Sequence, residues 1–315
     1  MLTRKQLALV KLETTYGTDA SPDGSNRVEV TELESQTYEG DRQARERYQQ
    51  HLGGRAEVNT GPYATIQITV PLAGSGEVGV APVYGPLLQS CKMEEIIEEV
   101  DEVPVRVLYR PISDDETAKS CTIYYIKDGR QQKITGAQGT WTLSAQRGQF
   151  PTLQFTMTGR YHRPTQIAPV TPSAVMQADE LPVNNQNTEK FVVHGFNAVA
   201  DSLTLELGNE VVFRNMIGDE RTRITDRNPS GQLNIEAPDI PTKDYFAAAE
   251  SHEGVTLGPV EFEHGKTAGN IVNIAGPKVQ LSSISDQDSD GVVHYQFDTR
   301  WLPDVANDEL VLTFK

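Results

Sequence analysis

Three patterns in the chain carry residue types that do chemistry in other settings. Gly74-Ser75-Gly76-Glu77-Val78-Gly79 has the G-x-G-x-x-G spacing that lets a backbone approach a dinucleotide's phosphates. That chemistry also needs a helix opening at the last glycine and a parallel strand after it. Pro82 and Pro86 interrupt the stretch, so no cofactor is expected. Asp286-x-Asp288-x-Asp290-Gly291 looks like the start of a calcium loop. Such a loop closes with a carboxylate at its twelfth position. Phe297 stands there, and a hairpin turn is the expected role. The histidines (His51, His162, His194, His252, His264, His294) show no H-E-x-x-H spacing, and no G-x-S-x-G elbow exists. Cys91 and Cys121 give neither a disulfide framework nor a metal-ligand spacing and are expected to be buried. Nothing supports catalysis, a metal or a cofactor, and the chain is not expected to be an enzyme.

Two charged excursions are the remaining candidates. One runs from Glu39 to about Tyr63 and holds Asp41, Arg42, Arg45, Arg47 and Tyr48. The other runs from Arg214 to about Ser230 and holds Asp219, Glu220, Arg221, Arg223, Asp226 and Arg227. Long excursions in compact domains are functional or disordered. Arg and Tyr among both charge signs suit a protein interface.

The elements that carry these excursions come in two sets. Residues 120–161 read Tyr124-x-Ile126-x-Asp128-Gly129, then Trp141-x-Leu143-Ser144, Phe155-x-Met157 and Arg160-Tyr161. Residues 256–301 read Val260-x-Phe262-x-His264-Gly265, then Val279-x-Leu281-Ser282, Tyr295-x-Phe297 and Arg300-Trp301. Both alternate apolar and polar residues, the period of a half-buried strand. Asp128-Gly129 and His264-Gly265 are expected to make tight hairpin turns. Each excursion follows a strand (Val28–Leu33; Leu203–Leu207) and precedes another (Ile66–Val70; Leu233–Ala237). A short helix is expected after each: Tyr84–Cys91, and Thr242–Glu250 with Thr242 as its N-cap. The acidic run from Glu94 to Glu102 reads as a solvated face, and Val105–Tyr109 as a strand.

The length, 315 residues, fits two domains better than one at ~100–200 residues each. The expected boundaries are 1–163, a Pro-rich extended linker at 164–195, and 196–315, the second domain duplicating the first. No apolar run approaches the ~18 residues of a membrane span. The N-terminal stretch from Met1 to Lys11 has too short an apolar core for a secretory signal, so a cytosolic product is expected. The formal net charge of −16 disfavours binding to nucleic acid or anionic membrane. It suits a protein that lies beside DNA without holding it.

Several segments resemble the major tail tube protein of long-tailed bacteriophages. They include Leu12-Glu13-Thr14-Thr15-Tyr16-Gly17-Thr18-Asp19, Pro71-Leu72-Ala73-Gly74-Ser75-Gly76 and Ala81-Pro82-Val83-Tyr84-Gly85-Pro86-Leu87-Leu88. Lys133-Ile134-Thr135-Gly136-Ala137, Pro151-Thr152-Leu153, Ile224-Thr225-Asp226-Arg227 and Thr267-Ala268-Gly269-Asn270-Ile271-Val272 extend the likeness over nearly the whole chain. The resemblance implies a mainly β fold: two tail-tube β-sandwich domains, each with a flanking helix, whose inner strands join those of neighbours into a ring-shaped β-barrel. It implies stacked rings and an acidic lumen that conducts double-stranded DNA without specific binding. Implied partners are other copies of the chain, the tape-measure protein and the tail terminator and tip proteins. The implied place is the virion tail, assembled in the host bacterial cytoplasm. A duplicated chain predicts trimeric, pseudo-sixfold rings, with the two excursions as inter-subunit or inter-ring contacts. The competing expectation is a two-domain β-sandwich binding module of the tail tip. That would need exposed aromatic platforms, and both tryptophans, Trp141 and Trp301, fall in strand patterns that read as buried.

Overall fold

Alternating apolar and polar residues recur through most of the chain, and the described residues fold into antiparallel strands with two short α-helices and a 3-10 turn at Gly24–Asn26. The computed structural model describes every residue except Met1, Thr3 and Val175. The first and third residues of the N-terminal stretch, and one linker position, therefore lie outside the described residues.

The first half contains β1 (Gln6–Leu12), β2 (Arg27–Val28), β3 (Glu32–Glu39), β4 (Arg42–Ala44), β5 (Glu57–Asn59) and β6 (Tyr63–Pro71). Then come α1 (Gly85–Ser90), β7 (Met93–Val100), β8 (Val103–Pro111), β9 (Cys121–Lys127), β10 (Arg130–Gln146), β11 (Thr152–Tyr161) and β12 (Thr165–Gln166). The single strand expected over Val28–Leu33 is two. Val28 pairs back to Ala8 on β1, whereas Leu33 pairs with Ile68 on β6, so the chain changes partner between them. Asp128 and Gly129 have φ of 47° and 85° and turn β9 directly into β10, as their types predict. Pro86 sits in the first turn of α1, whose Leu87 and Leu88 are buried.

The acidic run is more ordered than a plain solvated face. It forms β7, paired along its length with β8 through a turn at Asp101-Glu102, both at positive φ. Arg106 and Arg110 on β8 reach Glu98 and Glu94 across the ladder at 2.6 and 3.0 Å. These cross-strand pairs offset the repulsion of the aligned carboxylates.

The linker is extended and hydrogen-bonded along the first half. Ile167 N–H donates to Gly129 O at 2.9 Å, Ala178 N–H to Gly74 O at 3.0 Å and Val183 N–H to Gln149 O at 2.9 Å. It passes into β13 (Lys190–Val193), which lies inside the expected linker range.

The second half continues with β14 (Phe196–Asn197), β15 (Ala200–Glu206), β16 (Asn209–Met216), β17 (Asp219–Arg227), β18 (Ser230–Glu236) and α2 (Tyr245–Ala249). It ends with β19 (Leu257–His264), β20 (Val272–Ser289), β21 (Val292–Leu302) and β22 (Val311–Phe314). The N-cap of α2 is Asp244, not Thr242. Its carboxylate accepts the Ala247 N–H at 3.0 Å, because the helix begins at Tyr245 and Thr242 still lies in the preceding turn, where its N–H donates to Asp239 O. His264-Gly265 opens a loop over 265–271 rather than a two-residue turn. That loop is drawn out to meet the first half: Asn270 Oδ1 accepts the Gly74 N–H at 2.9 Å. The Gly74–Gly79 stretch is thus a loop packed on another loop, with α1 starting only at Gly85. Asp290-Gly291 makes the β20–β21 hairpin turn, with both residues at positive φ.

The same order of pairings runs through both halves. In the first it is β1–β9, β9–β10, β10–β11, β11–β6 and β6–β3. In the second it is β13–β19, β19–β20, β20–β21, β21–β18 and β18–β15. A strand hairpin, β4–β5 or β16–β17, fills the gap before β6 and β18 respectively. Hairpin β7–β8 occurs only in the first half, where β8 pairs with the terminal β22. One apolar core spans both halves and includes Trp141, Phe155, Leu205, Phe297 and Trp301. Cys91 and Cys121 are inside it, and burial pushes the Cys121 thiol up to about 12.

Candidate functional site

The first candidate surface is one face of a long sheet. The ladders join β3–β6–β11–β10 of the first half to β15–β18–β21–β20 of the second. The join is β10 against β15, with Leu143 opposite Leu205 and Ser144 opposite Thr204. One face is apolar and buried: Leu33, Ile68, Phe155 and Trp141 lie side by side, as do Leu203, Leu233 and Phe297. Alternation then assigns the other face. It carries Glu32, Glu34, Gln67, Thr69, Gln154, Thr156, Ser144, Thr204, Gln232, Asn234 and Asp298. Amides and hydroxyls outnumber charges on it. Gln232 bridges strands by donating to Asp298 Oδ1 at 3.0 Å. This face has the chemistry of a wet, weakly acidic wall.

The second feature is the pair of edges at the ends of this sheet. Among the described residues, β3 pairs only with β6, and its other edge has no ladder. β20 loses its β19 partner beyond Gln280, and its edge from Leu281 onward is likewise unpaired. An open edge presents unpaired N–H and C=O groups that template pairing with another chain.

The third feature is the two excursions, which are both β-hairpin arms and differ in what they touch. Asp41 sits at the root of the first arm, Arg42 on β4, and Arg45, Arg47 and Tyr48 on the loop beyond. All five are exposed; Tyr48 and Leu52 are fully so, at 105% and 103%. The arm is tied down at its base, where Asn59 Nδ2 donates to Glu39 O at 2.9 Å.

The second arm carries Arg214, Asp219, Glu220, Arg221, Arg223, Asp226 and Arg227 and folds back on the first half. Tyr16 is the centre of its dock. Its hydroxyl accepts the Thr222 N–H at 2.5 Å and donates to Gly136 O at 3.2 Å. The guanidinium groups of Arg160 and Arg221 lie over its ring at 5.3 and 5.4 Å. Burial raises the Tyr16 hydroxyl above its ordinary value, so it remains a donor at neutral pH. Arg160 also donates through Nε to Glu220 O at 3.0 Å. Gly136 has φ of 60°, and a Cβ there would meet the Tyr16 ring at 2.8 Å, so the dock requires glycine.

Further along, Phe213 packs on Tyr63 at 5.3 Å. Asn209 Nδ2 donates to Cys91 O and Gly139 O at 2.8 and 2.9 Å. Arg227 is enclosed. Its Nε donates to Glu309 Oε1 at 2.7 Å and its Nη1 to Ile112 O at 2.9 Å. The side chains of Arg227 and Glu309 are only 12% and 7% exposed. Lys92 bonds Asp115 at 2.5 Å and holds its carboxyl below the usual range, with Arg223 3.8 Å away. A cavity of about 480 Å³ between this arm and the first half is lined by both signs of charge, including Glu13, Lys92, Asp115, Arg221 and Arg223. Arg214 and Asp226 are exposed.

The sequence located both arms but not Tyr16, Arg160, Asn209 or Glu309. Tyr16 and Gly136 fall in family-like segments, and Arg160 closes the repeated strand pattern; those were the available signals. Among the described residues, no helix is long and apolar enough to cross a membrane, and no group of His, Cys, Asp and Glu is arranged to hold a metal ion. A family model described as phage tail tube protein matches residues 3–298 of the chain. No curated protein matches it.

Proposed function

The chain belongs to the phage tail tube family, and from that premise we propose that it closes into stacked trimeric rings around an axial bore for DNA. Membership supports a structural component of the virion tail, and self-assembly rather than turnover belongs to the proposed reading. The finer reading is that each half is one of two duplicated tube domains. Three chains then make a pseudo-sixfold ring. The matching order of strand pairings in the two halves supports this.

One observation carries the proposal: an eight-strand sheet, buried on one face and wet on the other, open at both edges. Closing three such sheets edge to edge removes every open edge. The wet face then lines the bore. Its Gln, Thr and Ser side chains, with Glu32, Glu34 and Asp298 outnumbering Arg300, which alternation places beside them, offer phosphate little net positive charge to displace its counterions, so duplex DNA slides past without being held. Assembly in the host cytoplasm around a tape-measure protein, capped by terminator and tip proteins, belongs to the same reading. The Arg- and Tyr-bearing arms serve contacts between chains or rings.

Negative-stain microscopy of the purified chain at high concentration tests the reading. Tubes or rings with a central hole are expected. A globular dimer without a hole would sink it.

A further inference from the structure

We propose that the cavity between the β16–β17 arm and the first half binds a small polycarboxylate, an organic anion of citrate's size and charge. Bound there, it ties the arm to the loop before β9. This site goes beyond tube assembly and does not depend on it.

At about 480 Å³ the cavity falls within the ~300–1,000 Å³ of small-molecule sites. Its walls come from β17, from residues 115–120 before β9, and from Lys92 between α1 and β7. Four cations line it: Lys92, Lys119, Arg221 and Arg223. In a chain of net charge −16, that concentration is local. Most of the carboxylates beside them are already engaged. Glu13 accepts the backbone N–H groups of Gly17 and Gly136, each at 2.7 Å, and the hydroxyls of Ser120 and Thr122 at 2.6 and 2.8 Å. Asp115 bonds Lys92 at 2.5 Å, and Asp219 accepts Arg221 Nε at 2.9 Å. Glu116 is exposed, where salt screens its charge.

Two of the cations have no carboxylate within hydrogen-bond distance among the described residues. Arg223 Nε is enclosed without a partner, and Nη1 stands 3.8 Å from Asp115 Oδ2, beyond hydrogen-bond reach. An enclosed donor without an acceptor costs free energy. A ligand carboxylate that draws the guanidinium forward relieves that cost. Lys119 Nζ donates at 2.6 Å to Gln89 Oε1, a neutral amide oxygen. Asp115 shows the chemistry that the cavity accepts, since its carboxylate already lies between Lys92 and Arg223. The planar fork of arginine matches the two oxygens of a carboxylate. One carboxylate of the ligand therefore takes Arg223, and another takes the Lys119 ammonium, each by a charge-assisted bond. Arg223 belongs to the arm and Lys119 to the first half, so the ligand spans the seam that Tyr16 also holds.

Titration calorimetry of the full chain with citrate at neutral pH tests the site, with acetate at equal ionic strength as the control. One citrate per chain is expected. Citrate should also raise the melting midpoint where acetate does not, because a ligand of the folded state stabilises that state. Arg223→Gln and Lys119→Gln should each weaken citrate binding about tenfold or more, the scale of one lost charge-assisted bond. Arg214→Gln, at an exposed position of the same arm, should leave binding unchanged. Should Arg223→Gln fail to fold, Lys119→Gln decides the case, because Lys119 is exposed. Three results would each overturn the site: no heat of binding with millimolar citrate, a midpoint shift that acetate reproduces, or a folded Arg223→Gln or Lys119→Gln chain that binds citrate as tightly as the unmodified one.

Discussion

The two arms of this molecule start from the same place in the sheet and end differently. β16–β17 is docked: its backbone, an aromatic ring and an enclosed arginine are all satisfied by the first half or by the C-terminal segment. β4–β5 stands free, with a tyrosine and a leucine wholly in solvent. The sequences of the arms do not explain this, since both mix Arg with Asp and Glu. What differs is whether an adjoining half lies within covalent reach. The docked arm shows what the free arm lacks, and a neighbouring copy in the proposed ring would supply it.

The comparison can be broken most forcefully at Arg227. Arg227→Ala would leave the Glu309 carboxylate enclosed and unpaired, which costs about 3–5 kcal/mol. Chemical denaturation should show that loss, and a cost below about 1 kcal/mol would mean that the arm is not held as described. Tyr16→Phe comes next. It keeps the ring under Arg160 and Arg221 but removes the hydroxyl shared by Thr222 and Gly136, for an expected cost of about 1–2 kcal/mol. Replacing residues 45–55 of the free arm by a short Gly-Ser turn should move the stability of the unassembled chain by less than about 0.5 kcal/mol, as for exposed surface generally. The same replacement should abolish particles under the microscope. A free arm that is dispensable for assembly would remove the contrast.

The smallest expected effect is on pH. Burial holds His264 and His162 below the ordinary histidine value of 6.5, with Lys133 adding to the effect at His162. His264 is bonded by Thr188 and by Leu181 O, each at 3.0 Å, in its neutral form. The unfolded chain therefore binds more protons than the fold as pH drops below about 6.5. Stability should be fully present above that pH and decline on acidification toward 5. Thermal melts of the unassembled chain would show this, and a flat profile from pH 7 to 5 would contradict it.

Much of the architecture was legible in the sequence. The period-two alternation in residues 120–161 and 256–301 gave the strands and their order, and Asp128-Gly129 gave its turn. The buried face followed as well, since Trp141, Phe155, Phe297 and Trp301 all fall on it. Local rules failed where the chain serves a distant partner. His264-Gly265 would make a tight turn alone, but Asn270 is pulled toward Gly74, nearly two hundred positions away. Thr242 and Asp244 are both good caps, and only the preceding turn decides between them. The dock was the least legible part. Thr222 finds Tyr16 across 206 positions, and no spacing rule connects them. The wet face as one continuous surface needed the strand order, because alternation says which residues of one strand share a face but not which strands lie side by side.

Native mass spectrometry of isolated single rings tests the central claim most directly. A chain whose two halves each fill one place in the ring predicts particles of three times the chain mass. Rings of six chains would contradict it, because each chain would then fill one place.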